Sequence, residues 1–536
     1  MTPLPNTCPT QPSFNIDIDA RPHIFPSPTA WASFWYSLAP WFEKHGYILY
    51  IPGSQTHFGL SDGFTVPARN TLPGPGNHDA QQTRSSNRGD PDPPYAFTET
   101  PSGLEYVYDS YSRTRGSQDN NLSSSTSQSQ TKSLVPVQVP PFIATSNTGR
   151  VYAAQDSSGR HVYIKIIKKD SEQFRVVELL RRQKETPGVL PILDVLEYDD
   201  NGGGGGGYAF LVMPRWGDIP GPSNLLRTTG DVVEFILDVL KGLDTLHSLR
   251  IAHRDIKINN LVMNHLFTIP IRTLRPLHRL QIHTTQDRGS TKSSTTPIVP
   301  ARSKTRTSAL HLASIRESMS HRLEFAIIDF DFAMVIPPSR NGKDRLPSTL
   351  AWMQEYSALD VAQGELVYDP FKYDVGVLGV MLCEMVQKYT PLIPNLAPLL
   401  DRMTTHELKK RFTAREAHAF AEKYLLSEKQ LDQKELVPPL PYPGAVSIKY
   451  HHLNRQYRHH SLTPTTSSNP WTTYDRWAHL PASFFREFPQ WQKYVTPPLP
   501  KWKRWLRRCC ETPEGRQRVR AVRRALAVVG IGEGER

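Results

Sequence analysis

Cysteine is scarce in this chain: 536 residues carry four, Cys8, Cys383, Cys509 and Cys510. Their spacing makes neither a disulfide framework nor a zinc-ligand pattern, and it points to a reducing compartment. No run of about 18 apolar residues is present to span a bilayer. No basic-then-apolar leader opens the chain, which starts with polar residues and prolines. The expectation is a soluble intracellular protein, cytoplasmic or nuclear, without a transmembrane segment. Charge of one sign does not dominate either. Charged residues are 21% and the formal net charge is +12, too moderate at this length to imply nucleic acid as substrate. Proline, by contrast, is plentiful at 47 residues beside 38% hydrophobic content, which suggests a folded centre joined to long irregular segments.

Four regions are expected. Residues 1–135 read as an N-terminal extension, partly disordered: an aromatic helix and strand over 30–50 give way near 66 to Gly, Asn, Ser, Pro and Gln. Residues 136–217 are strand-rich, with GRVYAAQD, HVYIKIIKK, GVLPILDVLEYDD and YAFLVMP as short strands and SEQFRVVELLRRQ as a helix. Residues 218–427 are helical. Val232, Phe235, Val239, Leu240, Leu243 and Leu246 share one face of a helix capped by Asp231 or Thr229. A Ser/Thr-rich stretch at 281–308 reads as a disordered insertion. Residues 428–536 form a C-terminal extension with a basic tail.

The chemistry concentrates in HRDIKINN, residues 253–260, directly after that helix, and in the strand FAIID ending at Asp329. Phosphoryl transfer needs a group to orient the attacking hydroxyl, a positive charge at the moving phosphoryl, and oxygen ligands for magnesium. Asp255, Lys257, and the pair Asn260 with Asp329 supply these in that order. The tract GGGGGG at 202–207 has no lysine or helix start at phosphate-loop spacing, and reads as a turn between strands.

With these residues in order, the chain resembles a eukaryotic protein kinase of the Ser/Thr type, and more loosely the divergent kinase-like proteins of fungi. The resemblance spans roughly residues 140–427. It implies an α+β, bilobal protein-kinase-like fold with a strand-rich N-lobe and a helical C-lobe. It makes Asp255 the catalytic base and Lys257 the residue that steadies the transferred phosphoryl, with Asn260 and Asp329 holding Mg²⁺ (or Mn²⁺). Lys165, in the strand VYIK, would contact the α- and β-phosphates of ATP, partnered by Glu178 or else Glu172. The glycine-loop pattern falls on Ala144, Ser146, Gly149 and Val151, where only the last glycine survives. Met213 would line the back of the adenine pocket, with the Pro214 carbonyl and the Trp216 N–H facing the base.

Further matches lie in the second half. Asp374 would brace the catalytic loop, and Gly379 also fits, while Gly376 stands where the family has tryptophan. Asp360 replaces a glutamate expected to pair with Arg411, one methylene short. Asp331 stands where a glycine would follow Asp329 and Phe330, and need not touch metal. Arg254 implies control by a phosphate on Ser348 or Thr349, added by a regulatory kinase.

The implied function is transfer of the ATP γ-phosphoryl group to serine or threonine of a protein substrate. The alternative is a kinase-fold binding or scaffold protein with little turnover, which the depleted glycine loop favours. Phosphotransfer to a small molecule is a third class, against which the activation-segment pattern counts. The tail, with ten Lys/Arg against two Glu between 501 and 525, reads as a solvated helical extension or a surface for anionic partners.

Overall fold

The computed structural model describes residues 28–52, 64–68, 95–98, 142, 144–145, 149–198, 207–219, 226, 228–266, 322–338, 344–351, 358–426, 475–478, 480, 483–497, 500–510 and 512–528. Ser146, Cys8, the insertion at 281–308 and all of the glycine tract except Gly207 lie outside them. The described residues fall into two units. One draws on 1–92, 97–164 and 266–273, the other on 93–96, 165–265 and 274–536.

The first unit is built on α1 (Pro28–Lys44), whose aromatic and apolar residues recur at helical spacing. Trp31, Trp35, Leu38 and Phe42 are all buried. The helix stops where Gly46 takes a φ of +86°. Gly46 N–H then donates to Glu43 O, and Tyr47 N–H reaches back to Phe42 O, the paired bonds that close a helix C-terminus. β1 (Ile48–Leu49) pairs antiparallel with β2 (Val151–Gln155), Ile48 opposite Gln155. A tight turn at Asp156–Arg160 leads into β3 (His161–Lys168), which neighbours β2 and contributes to both units. A second small sheet joins Ile51–Pro52, Phe64–Val66 and Ala144–Thr145.

In the second unit, α2 (Glu172–Arg181) starts at Ser171, whose hydroxyl accepts from Phe174 N–H. β4 (Asp194–Tyr198) and β5 (Tyr208–Pro214) pair antiparallel from Asp194–Val212 to Tyr198–Tyr208. α3 (Thr229–Ser248) buries the whole expected face, from Val232 to Leu246, at roughly 1.5–3 kcal/mol for each large side chain. Its cap is Thr228, one residue earlier than the sequence suggests. Asp231 sits three positions on and closes a reciprocal capping box. β6 (Leu261–Met263) and β7 (Phe325–Ile327) then pair antiparallel, followed by α4 (Pro370–Val386), α5 (Leu396–Thr404) and α6 (Ala414–Leu425).

The described residues from 475 onward belong to this unit. Asp401 of α5 is fully buried and accepts from Trp477 Nε1 at 2.9 Å and Thr496 N–H at 2.9 Å, with Arg476 Nε 3.2 Å away. Two basic helices end the described chain, α7 (Lys501–Cys509) and α8 (Pro513–Val528), which leave Trp502 and Trp505 exposed. No helix among the described residues is long and apolar enough to cross a membrane. The architecture is α+β, a strand-rich region followed by a helical one.

Candidate functional site

HRDIKINN is held from below by a single carboxylate. Asp374 of α4, itself buried, accepts from His253 N–H at 2.7 Å and Arg254 N–H at 2.8 Å, one oxygen for each. His247 Nε2 lies 3.2 Å from the same side chain. Two backbone donors on one carboxylate fix the loop's direction, and Arg254 adopts a φ of +66° as the chain turns. The His253 ring meets Ile328 O at 3.0 Å and packs edge-on to the buried Phe330, tying this loop to the segment after β7.

Asp255 is buried and unequally served. Its Oδ2 accepts from Lys257 Nζ at 2.8 Å and from Asn260 Nδ2 at 3.0 Å. Its Oδ1 is buried without a hydrogen-bond partner among the described residues. Burial raises the Asp255 pKa, and Lys257 opposes that rise without cancelling it. The result is a carboxylate with one restrained oxygen and one acceptor to spare. Asn260 spends its amide N–H groups on Asp255, with a further bond to Asp255 O at 2.8 Å. Its carboxamide oxygen is the end suited to a hard cation.

Lys165 departs from expectation. Its ammonium donates to Asp329 Oδ1 at 2.6 Å and to Asp331 Oδ1 at 2.5 Å. Glu178, the expected partner, instead faces Arg181 at 3.4 Å and Arg182 at 3.7 Å on its own helix, and Glu172 pairs with Arg175. Burial disfavours the Lys165 ammonium, but the two carboxylates outweigh it and raise its pKa. Burial likewise pushes Asp329 up, and Lys165 more than reverses this, holding that carboxyl at about 2. Asp329 sits at a φ of +69°, a conformation aspartate tolerates better than most residues. Gln173 of α2, unforeseen in the sequence, donates to Asp331 Oδ1 at 2.7 Å.

The hinge residues differ too. Trp216 N–H donates to Pro214 O at 3.1 Å, so the amide expected to face adenine is engaged within its own turn. The Pro214 carbonyl keeps a second lone pair. The Trp216 indole is buried among Leu190, Val262 and Ala326, and Met213 packs against it from the end of β5.

In the other unit, Ala144 is a buried strand residue opposite Thr65, and Val151 begins β2. Gly149 has a φ of +68°, and a β-carbon there would fall 2.2 Å from the Trp31 ring. Trp35 Nε1 donates to Gly149 O at 2.7 Å. Within this unit the glycine makes room for α1.

The anchor behind the loop closes despite its short aspartate. Arg411 meets both oxygens of Asp360 at 2.7 Å, with both side chains almost wholly buried. Gly376 leaves the necessary space. Arg254 donates to Phe332 O at 3.1 Å and to Leu350 O. Of the two expected phosphate acceptors beside it, Thr349 is exposed and Ser348 is buried. No group of three or more His, Cys, Asp or Glu side chains is arranged to hold a metal among the described residues.

No protein-family profile matches the chain. Three curated proteins are distantly similar to part of it. A serine/threonine-protein kinase of Yarrowia lipolytica is 26% identical over 138 residues, covering 23% of this chain and 19% of that protein. A probable cyclin-dependent serine/threonine-protein kinase of Dictyostelium discoideum is 30% identical over 138 residues, 25% of this chain and 10% of its own. A mitogen-activated protein kinase of Caenorhabditis elegans is 28% identical over 131 residues, 23% of this chain and 34% of its own. The chain thus matches a tenth to a third of the length of these relatives. It shares distant homology with serine/threonine kinases, and its α+β architecture is consistent with a kinase-like fold.

Proposed function

We propose that this protein transfers the γ-phosphoryl group of ATP to a serine or threonine hydroxyl of a protein substrate. The observation that carries the reading is Asp255: buried, braced through its loop by Asp374, with one oxygen held by Lys257 and Asn260 and the other left to accept. Asp255 Oδ1 takes the hydrogen bond of the incoming hydroxyl, orients its oxygen and receives its proton. Lys257 neutralises charge beside that oxygen. Asp329 and Asn260 are the oxygen donors that would hold Mg²⁺, and Mn²⁺ suits the same donor set. Magnesium, when bound, supplies charge neutralisation at the β- and γ-phosphates. Lys165 is the cation for the remaining phosphate charge.

A second reading, nucleotide binding or scaffolding with little turnover, draws on three features. Lys165 is neutralised by two carboxylates, Trp216 N–H is committed to Pro214, and Gly149 accommodates Trp31. One experiment separates the two. Wild type, D255N and D329N are incubated with Mg-ATP and a mixed protein substrate, followed by phosphoamino-acid analysis. Phosphoserine or phosphothreonine from wild type, with losses of about 100-fold or more in both variants, supports transfer. Equal signal from all three overturns it, and ATP binding without transfer favours the second reading.

The finer expectations belong to this proposal. Thr349 is the activation-segment acceptor for a regulatory kinase, pairing with Arg254 once phosphorylated. The protein works in the cytoplasm or nucleus. The basic helices α7 and α8, with Trp502 and Trp505 outward, meet an anionic partner.

A further inference from the structure

The proposed transfer uses Lys165 but gives no role to Asp331 or Gln173, both of which are in hydrogen-bond contact at one oxygen. A single oxygen, Asp331 Oδ1, accepts from Lys165 Nζ at 2.5 Å and from Gln173 Nε2 at 2.7 Å. Lys165 lies within the buried part of β3, Gln173 sits in the first turn of α2, and Asp331 follows the strand β7 by four residues. A strand, the helix that follows it and a segment 158 residues beyond Gln173 therefore meet at one carboxylate oxygen. Glu178, the acid on α2 that the sequence nominates, is turned to Arg181 and Arg182 instead.

We propose that Asp331 is the positioning carboxylate for Lys165, and that α2 is coupled to the lysine through Gln173 and Asp331 rather than through Glu178. The logic follows from charge and connectivity. Lys165 shares its ammonium between two carboxylates, Asp329 and Asp331. Only one of them, Asp329, has a second duty as a metal donor. An ammonium that relied on Asp329 alone would lose its anchor whenever that carboxylate turned to a cation. Asp331 keeps the lysine fixed through that change, and its second acceptance from Gln173 fixes Asp331 in turn. The aspartate at a glycine position is thereby part of the working site rather than a scar in it. Its consequence for turnover rests on the phosphoryl-transfer reading, but the bridge itself does not.

The test compares D331N, D331E, Q173A and E178Q in the full-length chain by two measurements. The first is hydrogen–deuterium exchange over residues 172–181, which reads the bridge whether or not the protein turns over. D331N and Q173A speed exchange there by about threefold or more, and the double variant adds little to either alone. E178Q does so less. The second is kcat/KM for ATP, lowered about tenfold by D331N, less by E178Q, and partly restored in D331E. Unchanged exchange in D331N, fully additive effects of D331N and Q173A, or a larger effect of E178Q than of D331N overturns the assignment. If wild type transfers no phosphate, the transfer reading falls, and the exchange result alone decides the bridge.

Discussion

Replacing Gly376 by alanine sets packing against helix propensity, because the two act in opposite directions. Gly376 lies inside α4, where alanine ordinarily stabilises a helix by about 1 kcal/mol. Here the added β-carbon would fall 2.6 Å from Arg411 Nη1 and 2.8 Å from Ala358 Cβ. The guanidinium has nowhere to go. It donates to both Asp360 oxygens at 2.7 Å, to Thr405 O at 2.8 and 3.1 Å, and to Lys372 O at 2.8 Å. Overpacking of a filled core costs about 1–3 kcal/mol, and losing one partner of a buried ion pair costs about 3–5 kcal/mol. The alanine displaces the pair without removing it, so a gross cost of about 2–3 kcal/mol is expected, leaving a net loss of about 1–2 kcal/mol after the propensity gain.

Urea unfolding of the full chain measures this as a lower midpoint at unchanged slope. R411A and the double variant complete the cycle. R411A removes the closest of these contacts but leaves the one to Ala358, so G376A should cost less in the R411A background than in the wild type. A stabilised G376A single variant refutes the reasoning. So does a double variant in which the two losses simply add.

Other perturbations have equally definite outcomes. G149A places a β-carbon into the Trp31 ring at a φ of +68°, and should destabilise the first unit by about 2 kcal/mol or more, read by thermal melting. R476A strips the ion-pair partner from the fully buried Asp401 and should cost about 3–5 kcal/mol, whereas exposed R518A should change the urea midpoint hardly at all. Glu365 titrates at about 7, raised by burial, against about 4.3 in an unfolded chain. Between those values the folded form binds more protons, so this group's contribution is full below about pH 4.3 and is lost as pH rises toward 7. E365Q should flatten that dependence, by about 2–3 kcal/mol between pH 5 and 7.5. An unchanged slope would show that another group sets it.

Much of this was legible because its determinants are local. The run from His253 to Asn260 places a base, a cation and a metal donor within one short loop, and the helix before it shows its buried face at regular spacing. Lys165 was legible for a similar reason, since a lysine inside an apolar strand needs partners. Which partners it takes was not. Glu178 and Asp331 are both carboxylates within plausible reach, and the choice depends on the rotation of α2 about its axis, a tertiary property. Periodicity sets Phe174, Val177 and Leu180 about one turn apart; Val177 and Leu180 are buried, and Phe174 packs partly buried against the core. With that face fixed, Glu178 turns toward Arg181 and Arg182, while Gln173 in the first turn reaches Asp331.

The same limit explains the departures that looked like losses. Asp360 is a methylene short and Gly376 lacks a bulky ring, and each alone suggests a weakened anchor. Sixteen positions apart in sequence, they meet at Arg411. The missing ring opens the space for the guanidinium, and the guanidinium closes on the shorter acid at 2.7 Å. Asp331 follows the same pattern, a substitution at a glycine position matched by an unforeseen glutamine 158 residues earlier. Each departure, compared singly with a family pattern, reads as decay. Set beside the residue it touches, it is half of a pair, and only the fold brings the halves together. Because each of these residues acts through the one it touches, the mutational tests should be run as cycles rather than as single replacements.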